Sequence, residues 1–422
     1  MNSALAALIG LVLSIILVIR KLSPVYSLML GALVGGLLAG TGLVETISQM
    51  LTGVKDITPA ILRILAAGVL SGVLIKTGAA ASISNSVVRT LGRKHVYLAV
   101  AFSALLLTAV GVFVDVAVIT VAPIALMLGK SLNLPKGKLL LAIIGGGKCG
   151  NIVSPNPNTI IVAENYNAPL SSVMGAGIVP AIIGLVITVY VVVPLVRSKN
   201  PTSAHESASE YDIEGDDTEK LPSFWASIAG PFAAVILLAL RPVCGINIDP
   251  MVALPVGGVV GIFTTRSWKK SSECISFGLE KMSTVAILLV GTGTLAGVIK
   301  ASEIKDVIIA MLSGWEAGGV IMAPLSSMLM SAATASTTAG ATIASASFAQ
   351  TVLASGVAAV WGAAMTNAGA TALDQLPHGS FFHATGGSFG MHIKERMKLI
   401  PYETAVGLVL TLLSVGMYLI FG

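Results

Sequence analysis

The 422 residues are 55% hydrophobic and only 11% charged, against about 25% charged for a soluble domain, and apolar runs recur from end to end. Such a chain is a polytopic integral membrane protein, and its formal charge of +5 belongs to membrane topology rather than to a nucleic-acid partner, which this composition excludes. Three widely spaced cysteines, Cys149, Cys244 and Cys274, form neither a disulfide framework nor a metal-ligand pattern, so neither a metal nor another cofactor is expected.

The first expected span, Ala4 to Ile19, has no basic residue before it and no small-residue cleavage pattern after it, and reads as a retained helix. Spans at Pro24 to Gly40 and Pro59 to Ile75 follow; Arg63, one turn inside the latter, is expected to snorkel to the interface. Val96 to Gly129 is then a stretch of about 33 residues whose one charge is Asp115, too long for one spanning helix and too short for two. It fits a re-entrant hairpin of two half-helices. A broken helix, Leu139 to Asn165, and a span, Ser172 to Leu195, complete a first repeat over residues 1–197.

Residues 198–222 read as a flexible cytoplasmic linker, with Glu206, Glu210, Asp212, Glu214, Asp216, Asp217 and Glu219 among Ser, Thr and Asn. The second half, 223–422, brings spans at Ser223 to Leu240, Met251 to Thr264 and Thr284 to Ile299, then an uncharged hairpin stretch from Gly318 to Gln350. A second broken helix, Val352 to Gly386, and a last span, Tyr402 to Phe421, follow. The expected fold is all-α, with about ten transmembrane helices and two hairpins, two of the spans being broken.

Placing the amino terminus outside puts most of the 25 Lys and Arg in the cytoplasm, including Arg20, Lys76, Arg89, Lys130, Lys136, Lys138, Arg197, Arg266, Lys394, Arg396 and Lys398. Lys55, Arg241, Lys300 and Lys305 fall outside, and Arg63 and Lys148 lie within spans. Ser71-Gly-Val-Leu-Ile-Lys76 resembles Leu295-Ala-Gly-Val-Ile-Lys300, and in both halves an amphipathic stretch, a hairpin and a broken helix come next. Because the halves start on opposite sides, the repeats are expected to be inverted, the first hairpin opening from the cytoplasm and the second from the other face.

Gly145 to Thr159 holds glycines and two prolines that no continuous helix tolerates. Its free amides and the amino end of the following half-helix favour an anion, while Asn151, Ser154, Asn156, Asn158 and Thr159 suit hydroxyls. Lys148 is expected to meet a substrate carboxylate or, about as readily, to pair with Asp115. In the counterpart segment, Met365 to Ser380, Thr366, Asn367, Thr371, Asp374, His378 and Ser380 cluster around Gly369, Pro377 and Gly379. The tip of the second hairpin, Ser331 to Gly340, adds Ser336, Thr337 and Thr338, residue types that serve ligand contact and tight helix packing equally well. Asp115, with apolar residues on both sides, costs about 2.5 to 3.5 kcal/mol to insert unless paired, watered or protonated, and is the leading candidate for carrying a coupling proton. His378, which titrates near neutrality in ordinary surroundings, is a second, and Asp374 and Glu164 rank behind Asp115.

At these residues the chain resembles the gluconate permease (GntP) family of the ion transporter superfamily. Phe113-Val-Asp-Val-Ala-Val118 is similar to the family's Phe/Tyr-x-Glu-Val-Gly-Phe segment, Ser154-Pro-Asn-Pro157 to its Pro-Pro-His-Pro loop, and Asp374 to Phe382 to its second loop with an acid, a proline and an aromatic pair. Asp115 stands where the family has Glu, Asn156 replaces the loop His, and Lys148 has no family counterpart. The resemblance implies a bacterial inner-membrane symporter taking up gluconate or a related small hydroxy acid with protons, built as a homodimer that works by an elevator motion. The departures leave D-serine, glycerate, other sugar acids or a larger carboxylate as substrates. A sodium-coupled di- or tricarboxylate carrier of the same superfamily is the alternative, since the Ser/Thr/Asn-rich loops suit Na+ as well. No filter or charge ring points to a channel, and no metalloprotease helix or phosphate loop points to an enzyme.

Overall fold

The computed structural model describes residues 2–20, 22–92, 95–197, 221–244, 246, 248–303, 318–377 and 379–422, and these are helical, with no strand among them. The first half contains α1 (Ser3–Ile19), α2 (Pro24–Leu38), α3 (Leu43–Lys76), α4 (Ala79–Leu91), α5 (Val96–Ala109), α6 (Val114–Leu132), α7 (Lys136–Asn151), α8 (Pro157–Asn165) and α9 (Leu170–Leu195), the last with a π turn at Thr188–Val192. The second contains α10 (Phe224–Cys244), α11 (Pro250–Thr265), α12 (Ser271–Ala301), α13 (Gly318–Thr334), α14 (Thr337–Ala354), α15 (Ala359–Gly369), α16 (Ser380–Ser388), α17 (Ile393–Met397) and α18 (Ile400–Phe421). By length and composition, Leu43–Lys76, Val114–Leu132, Leu170–Leu195, Trp268–Ala301 and Ile393–Phe421 are each long and apolar enough to cross a membrane. The linker lies outside the described residues apart from Leu221 and Pro222, as do His378 and residues 304–317.

Glycine contacts sort these helices into two bodies. In the first, here the frame, α3 and α12 lie antiparallel in backbone contact: Gly53 abuts Gly293 and Gly297, Gly68 abuts Gly278, and Gly72 abuts Cys274. A Cβ on Gly53 would stand 2.0 Å from the Gly293 carbonyl oxygen, so only glycine permits this approach. Gly10 and Gly31 join α1 to α2, Gly230 and Gly257 join α10 to α11, Gly258 joins α11 to α3, and Gly291 joins α12 to α2.

The second body, the site body, is built around α7, which is buried on all sides from Leu139 to Asn151. Gly146 and Gly150 seat α7 on α5, Gly147 meets Val114 of α6, Gly184 meets Leu410 of α18, and Gly369 of α15 meets Pro324 and Ser327 of α13. Among the described residues no glycine contact crosses from one body to the other. The amphipathic α4 runs between them, with Ser82 Oγ donating to the Pro222 carbonyl at 2.6 Å.

Both hairpin stretches are broken, the first at Val110–Phe113 and the second at Ala335–Ser336, and both glycine- and proline-rich segments interrupt their helices. Three expectations change. The span read from Pro59 is the second half of the 34-residue α3, in which Pro59 forfeits one backbone bond without ending the helix, and the span read from Thr284 is likewise the end of the 31-residue α12. Arg63 does not snorkel; it is held by Asp249 and Glu164. Arg396 is 1% exposed, donating to Glu403 and Thr385 and lying over the Phe382 ring, which leaves its side of the membrane untouched.

Candidate substrate site

Two broken helices and a hairpin tip converge inside the site body. The chain leaves α7 at Asn151 and enters α8 through Asn156, whose side chain caps the helix by accepting the Thr159 amide at 3.0 Å and donates back to Asn151. Pro157 is well placed in the first turn, where its missing N–H costs nothing. At the hairpin tip Ala335 turns in the left-handed region, φ +46°, and Ser336 caps α14 by accepting the Ala339 amide at 3.3 Å. The next residues join the two helix starts: Thr338 Oγ1 donates to Asn158 Oδ1 at 2.6 Å. Two amino-terminal helix ends, each carrying a partial positive charge, therefore meet side to side.

The second broken helix closes the site. Asn367 Nδ2 donates to Thr159 Oγ1 at 3.1 Å, Thr366 Oγ1 shares a hydrogen bond of 2.8 Å with Tyr166 OH, and Thr371 Oγ1 folds back onto the Ala368 carbonyl at 2.7 Å. Thr337 Oγ1 donates to Asp374 Oδ2 at 2.5 Å. Two buried polar atoms of this cluster, Ser154 Oγ and Asn367 Oδ1, have no hydrogen-bond partner among the described residues. Orphan polar atoms inside a protein are costly unless something meets them, and these two are neutral groups.

Lys148 pairs with Asp374, not with Asp115. Its ammonium donates to Asp374 Oδ1 at 2.6 Å, the Thr371 carbonyl at 2.6 Å and Gln375 Oε1 at 2.7 Å, which uses all three of its hydrogens. The ammonium expected to face a substrate carboxylate thus supports the loop after α15, and Asp374, a candidate for coupling, is its counter-ion. Asp115 stands apart. It lies half-buried in the first turn of α6, its Oδ1 accepting the Val116 amide at 2.9 Å, and no hydrogen bond or ion pair among the described residues ties it to the cluster. His378 lies outside the described residues. No group of three or more His, Cys, Asp or Glu suited to a metal occurs among the described residues.

Gln375 and Tyr166 were not singled out from the sequence. Gln375 is fully buried and ties Lys148 to Thr404 Oγ1, 2.7 Å from its Nε2; its adjacency to Asp374 was the available signal. Tyr166 left none, since a tyrosine one residue past a half-helix reads as interfacial.

The sequence profile of GntP family permeases matches residues 3–420, nearly the whole chain. The chain belongs to the GntP family. An uncharacterized transporter of Haemophilus influenzae is 50% identical over 420 residues, covering 100% of this chain and 98% of that protein. The Gnt-II system L-idonate transporter of Escherichia coli is 26% identical over 355 residues, covering 78% of this chain and 79% of that one, and the high-affinity gluconate transporter of the same organism is 23% identical over 429 residues, covering 93% and 94%. The crystal structure of the Alcanivorax borkumensis YdaH transporter matches with a TM-score of 0.65 at 15% identity, over 89% of this chain and 88% of that one, a likeness of fold. This GntP permease is accordingly a multi-pass membrane transporter, not an enzyme.

Proposed function

We propose that this permease takes up a small hydroxy acid of the gluconate class together with protons, by moving its site body against its frame. One observation carries the substrate class: the α8 and α14 helix starts meet at the Thr338–Asn158 bond, and Asn367, bonded to Thr159 in the first turn of α8, keeps a buried and unpartnered Oδ1. With Lys148 neutralised by Asp374, attraction for a carboxylate comes from the two helix ends, and the amide and hydroxyl groups match the hydroxyls of a polyol acid. Lys148 acts as the support of that arrangement. A relative named for gluconate and one named for L-idonate, both sugar acids, favour the same class.

Asp115 is the proton carrier in this reading, supported by its place at the first hairpin's break and its separation from the neutral cluster. The antiparallel pairing of α3 with α12, each leading toward a broken hairpin stretch and a broken helix, supports inverted repeats meeting at residues 198–222, and the excess of Lys and Arg on one side supports the amino terminus outside. Family resemblance supports the homodimer.

The test is uptake of radiolabelled gluconate into proteoliposomes, with L-idonate, D-serine and citrate as competitors, under a pH gradient and separately under a sodium gradient. Accumulation driven by the pH gradient and blocked by L-idonate is expected. Uptake driven by sodium, or competition by citrate alone, overturns it in favour of a sodium-coupled carboxylate carrier.

A further inference from the structure

Frame and site body meet without any of the glycine-mediated backbone contacts that hold each of them together; apolar side chains cross the seam, with Met330, Ile343 and Ala344 packed among Leu28, Leu295 and Val298, and polar contacts add to them. Ser71 Oγ of α3 donates to the Gly111 carbonyl at the first hairpin's tip at 2.9 Å. Arg63 of α3 donates from Nη1 to Glu164 Oε2, in the last turn of α8. The remaining ion pairs between described residues stay within one body: Arg63–Asp249, Lys76–Glu273 and Lys300–Asp56 in the frame, Lys148–Asp374, Lys136–Glu395 and Arg396–Glu403 in the site body. Among the described residues, Arg63–Glu164 is the one ion pair that crosses.

Its two ends are not alike. The Arg63 guanidinium has a second carboxylate, Asp249, at 2.8 Å on the frame's own α11, where Asp249 also caps the helix by accepting the Met251 amide. Arg63 stays paired if Glu164 departs, and its hydrogen bonds hold the Asp249 carboxyl below the usual carboxylate range. Glu164 has no second side-chain partner among the described residues, but it lines a cavity of about 470 Å³ between α3, α8, α12 and α14, where water solvates a released carboxylate. The charged groups facing Glu164 are Arg63 and Asp56 from α3, Asp249 before α11, and Lys300 from α12; α14 presents only neutral groups there, Ser345 and Gln350 among them.

We propose that Arg63 and Glu164 form a latch that holds the two bodies in the observed arrangement and opens once in each transport cycle. Asp249 keeps the frame half of the latch satisfied while it is open. This rests on the two-body reading of transport given above. Arg63 and Glu164 are positioning residues and touch no substrate. Both side chains are 26% exposed, so solvent screens the pair and its loss shifts the balance of arrangements roughly five-fold rather than completely.

The experiment is a spin-label distance measurement on the full chain in nanodiscs, with Cys244 replaced by Ser and labels at Val44→Cys in the frame and Ala354→Cys in the site body; Cys149 and Cys274 are buried. Expected is one dominant distance in the parent, a second distance gaining roughly five-fold in Glu164→Gln and in Arg63→Gln, and a parental distribution in Asp249→Asn, which keeps the crossing pair. A parental distribution in Glu164→Gln while saturating gluconate still raises the second distance overturns the latch alone. A single distance in every variant, with and without gluconate, overturns the two-body reading and the latch with it.

Discussion

Lys148→Met is the most informative single change in the site body. In the native protein Lys148 is 1% exposed and the Asp374 side chain 7%, so removing the cation leaves a buried carboxylate held only by Thr337, while the Thr371 carbonyl and Gln375 each lose a donor. Breaking a buried pair from one side costs about 3 to 5 kcal/mol, and Asp374→Asn, which strands the ammonium, belongs to the same range. Lys148→Met combined with Asp374→Asn strands no charge; it forfeits the ammonium's hydrogen bonds to the Thr371 carbonyl and Gln375, about 1 kcal/mol each, and stands about 2 kcal/mol below wild type. The coupling between the two changes is therefore about 4 kcal/mol or more. Reversible unfolding in detergent–SDS mixed micelles, run on wild type, both single variants and the double variant, measures it, and gluconate binding is followed alongside. If both single variants are as stable as wild type, or if Lys148→Met abolishes binding at unchanged stability, the ammonium serves the substrate and the support role is refuted.

Asn158→Ala and Thr338→Val each remove one neutral hydrogen bond between the two helix starts, and each is expected to weaken gluconate binding about two- to ten-fold with unfolding little changed, as equilibrium binding on the purified protein would reveal. A Cβ on Gly72 would lie 2.0 Å from the Cys274 carbonyl oxygen, so Gly72→Val forces α3 from α12 and costs about 1 to 3 kcal/mol, read in the same unfolding titration; a neutral result means the frame's backbone contact is looser than described. Asp115→Asn removes the proposed proton carrier: pH-driven accumulation in proteoliposomes is lost while gluconate exchange between equal pools continues, and a variant that still concentrates gluconate returns the coupling role to another group.

Much of the fold was legible because charge is rare in this chain. Each break within the two hairpin stretches follows from length without charge, and Gly145-Gly-Gly147 with Pro155 and Pro157 announces an interrupted helix unaided. Helix α3 was read short because Glu45, Lys55, Asp56 and Pro59 together look like a loop; they form instead the polar first half of a helix whose glycines commit it to α12. The site's residue types were visible, but their pairing was not. Lys148 finds Asp374 across 226 positions of sequence, and nothing local distinguishes that partner from Asp115, much nearer along the chain. Arg396 sits in an ordinary basic cluster with Lys394 and Lys398, and only the fold turns it inward onto Glu403, seven residues on.

The pairing of Lys148 with Asp374 also decides what the membrane voltage acts on. A lone buried lysine would load the travelling body with a positive charge on every return, and an inside-negative membrane would hold it at the cytoplasmic face by about 2.3 kcal/mol per 100 mV for a full crossing. Cancelled by Asp374, it would add nothing to the electrical work of an empty return in the proposed mechanism. In the proposed mechanism voltage then acts, over a full cycle, on the cargo and its proton alone: a univalent anion by itself moves inward against the field, and the same anion with one proton is electrically neutral.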